Sequence, residues 1–126
     1  MARILIVDDN LEMAETLAEH LEGRGYEVAV EGGGAAALTR VEREPFDAVV
    51  TDLRMEEVDG LDLLVALKKR DPGLPVILMT AFGAIETAVE AIRRGAYHYL
   101  TKPFKLEELR THLERALRER KPRAMT

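Results

Sequence analysis

Five short apolar runs, "ILIV" (4–7), "YEVAV" (26–30), "DAVVT" (47–51), "PVILMT" (75–80) and "YHYL" (97–100), alternate with longer segments whose apolar residues recur at helical spacing. A strand, a helix and a second strand in succession close a parallel pair by a right-handed crossover, which lays the helix on the sheet. The expected fold is therefore α/β, a doubly wound five-stranded parallel sheet with helices on both faces. The runs starting at 4, 47 and 75 are almost wholly apolar, as strands covered on both faces must be, whereas those at 26 and 97 are mixed and suit the edges. The strand order 2-1-3-4-5 follows.

Between the strands, helices are expected from Leu11, where Leu11, Ala14, Leu17, Ala18 and Leu21 share a core face, and over 33–43, 61–70 and 84–94. In the last helix Leu106, Leu109, Leu113 and Leu117 share a second core face. Glycines 32 to 34, Pro45, Gly60, the Asp71-Pro72-Gly73 run, Gly83 and Gly95 punctuate the elements. With 126 residues, 47% of them hydrophobic, the chain suits one domain over 1–120, and "RERKPRAMT" reads as a helix end running into a tail or linker start at 121–126. The absence of cysteine excludes disulfides and thiolate metal sites, and no apolar run approaches the roughly 20 residues that cross a bilayer. "MAR" followed by a strand lacks the pattern of a signal peptide, so a soluble, cytoplasmic domain without membrane contact is expected. A net charge of -5 argues against direct contact with a nucleic acid.

In a sheet of this order, ligands bind beyond the carboxyl ends of the strands, where strands one and three diverge. Strand one delivers Asp8 and Asp9 there, strand three Asp52, strand four Thr80, and Lys102 follows strand five. Three carboxylates together repel and raise one another's pKa unless a cation holds them ionised. Donors that are all oxygen point to a hard ion, Mg²⁺, with Mn²⁺ as the alternative. Taken singly, each residue has a structural explanation: Asp-Asp-Asn before a helix is an N-cap signal, Asp52 a turn carboxylate, Thr80 a capping hydroxyl, Lys102 a solvated amine. Neither capping nor solubility explains why all of them converge.

From "ILIVDDN" through "DAVVTDLRM", "DGLDLL", "PVILMTA" and "GAYHYLTKPF", the chain resembles the response-regulator receiver domains of bacterial two-component signalling. The resemblance implies that Asp52 accepts a phosphoryl group from the phosphohistidine of a sensor histidine kinase. It further implies that Asp9, Asp52 and the main-chain carbonyl of Arg54 bind Mg²⁺ directly and Asp8 mostly through water. Thr80, the main-chain N–H of Ala81 and Lys102 would contact the phosphoryl oxygens, and the Lys102–Pro103 peptide would be cis. Such a domain is no conventional enzyme, although it assists its own phosphorylation and dephosphorylation. Arg54 and Phe82 would flank the site and slow hydrolysis of the acyl phosphate. "TAFGAIETAVEAIRRGAYHYLTKPF" further resembles the receivers of nitrogen-regulator-type transcription activators, which implies an output of a ring-forming ATPase and a helix-turn-helix domain. Thr80 and Tyr99 resemble the family's switch pair. The helix at 84–94, strand five and the last helix would form the responsive face, with Arg93, Arg94, Glu107, Glu108, Arg110 and Glu114 available to pair across the two-fold axis of a homodimer.

Two departures stand out. Glu56 occupies a position where the family commonly has proline, and Lys105 replaces an Asp that often caps the last helix, leaving Glu107 and Glu108 to favour its first turn. Three rival readings are weaker. A phosphatase of the haloacid-dehalogenase type needs a second Asp two residues after the nucleophile, where this chain has Arg54. A flavin module needs a phosphate cradle where Asp8 and Asp9 would repel one. A receiver-like interaction domain without phosphorylation would not need the intact set of five residues.

Overall fold

A computed structural model describes residues 2–55, 58–81 and 85–120. Strands β1 (Arg3–Val7), β2 (Glu27–Glu31), β3 (Ala48–Asp52), β4 (Val76–Thr80) and β5 (His98–Thr101) alternate with helices α1 (Leu11–Glu22), α2 (Gly34–Arg43), α3 (Gly60–Arg70), α4 (Ile85–Arg93) and α5 (Leu106–Glu119). The sheet is parallel throughout in the order β2-β1-β3-β4-β5, as the apolar content of the runs predicts. Every residue of β3 and β4 is buried, whereas β2 and β5 at the edges are mostly half-buried.

Alternation along each strand builds two cores. Leu5, Val7, Val49, Val76 and Leu78 point toward α2, α3 and α4, where Ala37, Leu63, Leu64, Leu67 and Ala91 meet them. Ile4, Ile6, Val50, Ile77 and Met79 point the other way, onto Ala14, Leu17 and Leu21 of α1 and Leu109 and Leu113 of α5. Each fully buried leucine in these layers contributes about 2 kcal/mol. Two expectations need correction. Leu11 is 52% exposed, because α1 starts with it and its side chain lies beyond the strand ends, over Gly32. Leu106 and Leu117 are only partly buried, against the edge of the second core.

Helix starts follow local chemistry. Asn10 caps α1 by accepting the Met13 N–H at 3.2 Å, and Asp59 caps α3 by accepting that of Asp62 at 2.9 Å. At α5 Lys105 makes no side-chain cap, and Glu107 and Glu108 occupy the first turn, as the sequence anticipates. At the far end of the same helix, Arg120 donates to the Asp47 carbonyl at 3.1 Å and to Asp71 Oδ2 at 2.7 Å, tying α5 to the base of the sheet. The imidazoles of His98 on β5 and His112 on α5 pack with ring centroids 3.7 Å apart. Burial, then His112, pulls His98 below the usual histidine range. Glu56, Phe82, residue 84 of the helix expected there and the tail 121–126 lie outside the described residues.

Candidate functional site

β1, β3 and β4 run out at one edge of the sheet, and the residues at their ends face a common crevice. Asp8 follows the last residue of β1 and is 1% exposed, Asp52 ends β3 at 8%, and Thr80 ends β4 at 1%. Asp9 is exposed. One carboxylate oxygen each from Asp8, Asp9 and Asp52 lies within 4.8 Å of the others. Lys102, one residue past β5, sends Nζ to 3.1 Å from Asp8 Oδ2 and 3.2 Å from Asp52 Oδ1. The Lys102–Pro103 peptide is cis, as expected.

The adjacent aspartates differ in burial and in partners. Both oxygens of Asp8 are engaged, Oδ2 by Lys102 and Oδ1 by the Asn10 N–H at 2.9 Å. The capping role considered for the Asp-Asp-Asn run falls to Asn10. Asp52 is fixed through its main chain as well: Thr51 Oγ1 donates to its carbonyl at 3.0 Å, and the next N–H, of Leu53, donates to Met79 O on β4 at 2.7 Å. Leu53 O in turn accepts the Gly60 N–H at 2.8 Å.

One ammonium among three carboxylates leaves the crevice short of positive charge. Burial pushes the Asp52 carboxyl above the usual carboxylate range; Lys102 opposes that, and Asp8 and Asp9 add to it. Burial also acts on the Lys102 ammonium, but Asp8 and Asp52 outweigh it and hold the group above the ordinary lysine range. Clustered oxygen donors and this deficit of charge fit a hard divalent cation.

At the same rim, Arg54 and Ala81 are exposed, following Asp52 and Thr80. Thr80 and Tyr99 share a hydrogen bond across β4 and β5. Tyr99 is half-buried and packs on the α2–α4 side of the sheet, and burial raises its phenol despite Thr80 and Arg54. The charges expected to pair across a dimer axis are largely engaged within the chain: Arg110 with Glu107 and Glu114, Glu107 also with Arg24, and Arg94 with Glu90. Helical spacing of three and four residues brings most of these pairs together on their own helices. α4 also presents an apolar stripe, with Ile85 83%, Val89 51% and Ile92 49% exposed, beside the exposed Glu86 and Arg93. Sequence reasoning missed Gly34 and Gly60 as parts of the site's frame. They are visible in the sequence only as punctuation.

An acidic cluster at the carboxyl edge of a 2-1-3-4-5 sheet, with a lysine reaching in from beyond the last strand, is the arrangement to be compared with known proteins. Residues 4–114 match the sequence model of the response regulator receiver domain. The transcriptional regulatory protein ZraR of Escherichia coli is 44% identical over 114 residues, 90% of this chain and 26% of that protein. The response regulator protein FleR of Pseudomonas aeruginosa is 43% identical over 108 residues, 86% of this chain and 23% of that one. Among solved structures, the receiver domain of NtrX from Brucella abortus superposes with a TM-score of 0.87 at 39% identity, covering 92% of this chain and 98% of that one. The chain belongs to the response regulator receiver domain family of two-component signalling. It spans about a quarter of the length of these curated relatives. Among the described residues no helix is long and apolar enough to cross a membrane.

Proposed function

We propose that residues 1–120 form a Mg²⁺-dependent receiver that takes a phosphoryl group onto Asp52 from a sensor histidine kinase in the cytoplasm and thereby controls an output domain. The observation that carries this reading is the trio Asp8, Asp9 and Asp52, with oxygens within 4.8 Å of one another and Lys102 as the ammonium between two of them. Because both oxygens of Asp8 are engaged, Asp9, Asp52 and the main-chain carbonyl of Arg54 are the groups that would hold the ion directly, with Asp8 acting through water. When bound, Mg²⁺ (or Mn²⁺) supplies positive charge to the oxygens of the group in transfer. Asp52 supplies the nucleophile: a carboxylate oxygen bonds to phosphorus as the P–N bond to the kinase imidazole breaks, giving an acyl phosphate. Lys102, which already faces Asp52 at 3.2 Å, keeps an anionic partner in the new phosphoryl oxygens. The Ala81 N–H and the Thr80 hydroxyl donate to the remaining ones. Thr80 then exchanges Tyr99 for the phosphoryl group, which frees the ring to reorient and links the crevice to β5. In such a domain the same groups assist the later loss of the phosphate to water, and residues 121–126 begin a tail or linker toward the output.

Incubation with acetyl phosphate tests the metal dependence. Uptake is expected with Mg²⁺ and absent in chelator, and Asp9→Ala should weaken Mg²⁺ binding and uptake together, because the metal neutralises the incoming charge. Unchanged Mg²⁺ affinity in that variant would contradict the assignment of Asp9.

The output proposed for the full-length protein is transcription activation, in keeping with the named relatives, through a ring-forming ATPase and a helix-turn-helix domain that would make the DNA contacts. We also propose that phosphorylation favours a homodimer through α4, β5 and α5. Since Arg110, Glu107 and Glu114 are engaged within the chain, the apolar stripe Ile85, Val89 and Ile92 is the better candidate for the contact. Sedimentation with beryllofluoride and Mg²⁺ should give a heavier species than the untreated domain, and Val89→Glu should prevent it; a heavier species in that variant would exclude the stripe.

A further inference from the structure

The loop after β3 carries the groups that follow the acceptor, and two glycines close on its described flanks. Gly60, the first residue of α3, lies so near the acceptor's main chain that a Cβ there would sit 2.5 Å from the Asp52 carbonyl oxygen and 2.7 Å from Leu53 Cα. Gly34, the first residue of α2, faces Val58, whose carbonyl oxygen would be 2.7 Å and whose Cβ 2.8 Å from an added Cβ. Backbone conformation does not require glycine at either place, since positive φ among the described glycines occurs at Gly25 and Gly95. Helix propensity does not favour it either, because alanine is the better helix former. Close approach is the reason that remains. At Gly60 the obstacles are main-chain atoms, so an added methyl group would have to move the backbone of Asp52 and Leu53 rather than a side-chain tip.

The hydrogen bonds point the same way. Leu53 N–H is held by Met79 O of β4 and Leu53 O by the Gly60 N–H, so the peptide that follows Asp52 is fixed between the sheet and the start of α3. Gly34 lets α2 press on Val58 from the other flank, two residues before Gly60.

We propose that Gly34 and Gly60 are positioning residues for phosphoryl acceptance: their close contacts hold the two flanks of the β3–α3 loop so that the Asp52 carboxylate and the Arg54 carbonyl face one crevice. This rests on the acceptor reading given above. A displacement of about 1 Å in a reacting group is enough to cost on the order of 100-fold in rate.

The test measures three quantities for each variant: the rate of uptake from acetyl phosphate, Mg²⁺ affinity of the unphosphorylated domain by calorimetry, and the folded fraction at the assay temperature by circular dichroism. Gly60→Ala is expected to slow uptake by roughly 10- to 100-fold and to weaken Mg²⁺ binding while the assayed protein remains folded. Gly34→Ala should do the same to a smaller degree. Adding Val58→Gly to Gly34→Ala should restore both in part, since it removes the Cβ and Cγ1 that crowd the new methyl group and leaves the Val58 carbonyl oxygen, whose backbone is freer to shift without the side chain. Should Gly60→Ala fail to fold, the Gly34→Ala and Val58→Gly pair decides. Wild-type uptake and affinity in the folded alanine variants would overturn the proposal, as would a lower melting temperature with uptake per folded molecule unchanged. If the wild-type domain accepts no phosphoryl group, the acceptor reading fails and the calorimetry decides the positioning claim by itself: equal Mg²⁺ affinity in wild type and variants overturns it.

Discussion

Replacing Lys102 with methionine should destabilise the domain by about 3 kcal/mol at neutral pH and remove phosphoryl uptake. The side chain is 18% exposed and lies between Asp8, 1% exposed, and Asp52, at 3.1 and 3.2 Å. Methionine preserves most of the packing, so the loss is chiefly that of two inward-facing carboxylates left without their counter-charge. The pH dependence carries the distinctive sign. Asp52 already has its carboxyl raised by burial, and loss of the ammonium raises it further. A carboxyl whose folded pKa lies above its unfolded value imposes no cost below the unfolded value, and the cost grows as pH rises through the folded one. The deficit of the variant should therefore be largest near neutrality and shrink at about pH 4. Urea unfolding of both proteins at the two pH values measures it. Equal deficits at both would mean that Lys102 acts through packing rather than charge.

Asp52→Asn should abolish uptake and, without divalent ions, raise the melting temperature at neutral pH. Asparagine keeps the shape of the side chain and removes one of three crowded negative charges. The same sign applies: with its pKa raised, ionised Asp52 opposes folding at neutral pH, and this cost fades toward the unfolded carboxylate range. Wild type at a Mg²⁺ concentration 100 times its dissociation constant should gain about 2.7 kcal/mol, and the variant much less. The order of stabilities would then reverse on adding metal. Melting curves with and without Mg²⁺ read this directly, and a variant less stable than wild type in chelator would contradict the account of the crevice's charge.

The strands and their order were legible because burial on both faces leaves a compositional mark: β1, β3 and β4 have little polarity to spare, while Glu27, Glu31 and His98 reveal the edges. That Asp8, Asp9, Asp52 and Lys102 meet was legible too, since strand ends in a parallel sheet share one rim, the rim at which Thr80 ends β4. The difference between Asp8 and Asp9 is implied by the family resemblance but not by the residues alone, because it depends on which one the turn into α1 points inward, where Lys102 and the Asn10 N–H occupy both oxygens of Asp8. Leu11 matched the helical periodicity of its neighbours, yet its side chain lies over Gly32, past the end of β2, and is half exposed. The pairing of Arg110 with Glu107 and Glu114 follows from spacing on one helix, but spacing cannot say whether a charge prefers its own helix or a partner's. Gly34 meets Val58 and Gly60 meets Asp52 through contacts that depend on how separate elements pack, and a single sequence carries no trace of that.

Intact-mass measurement of the wild-type domain after incubation with acetyl phosphate and Mg²⁺, beside Asp52→Asn treated in the same way, addresses the acceptor itself. One added phosphoryl group on the wild type, lost in chelator, and none on the variant is the expected result. A variant that gains the same mass in equal yield, or a folded wild type that gains none, would contradict the assignment of Asp52.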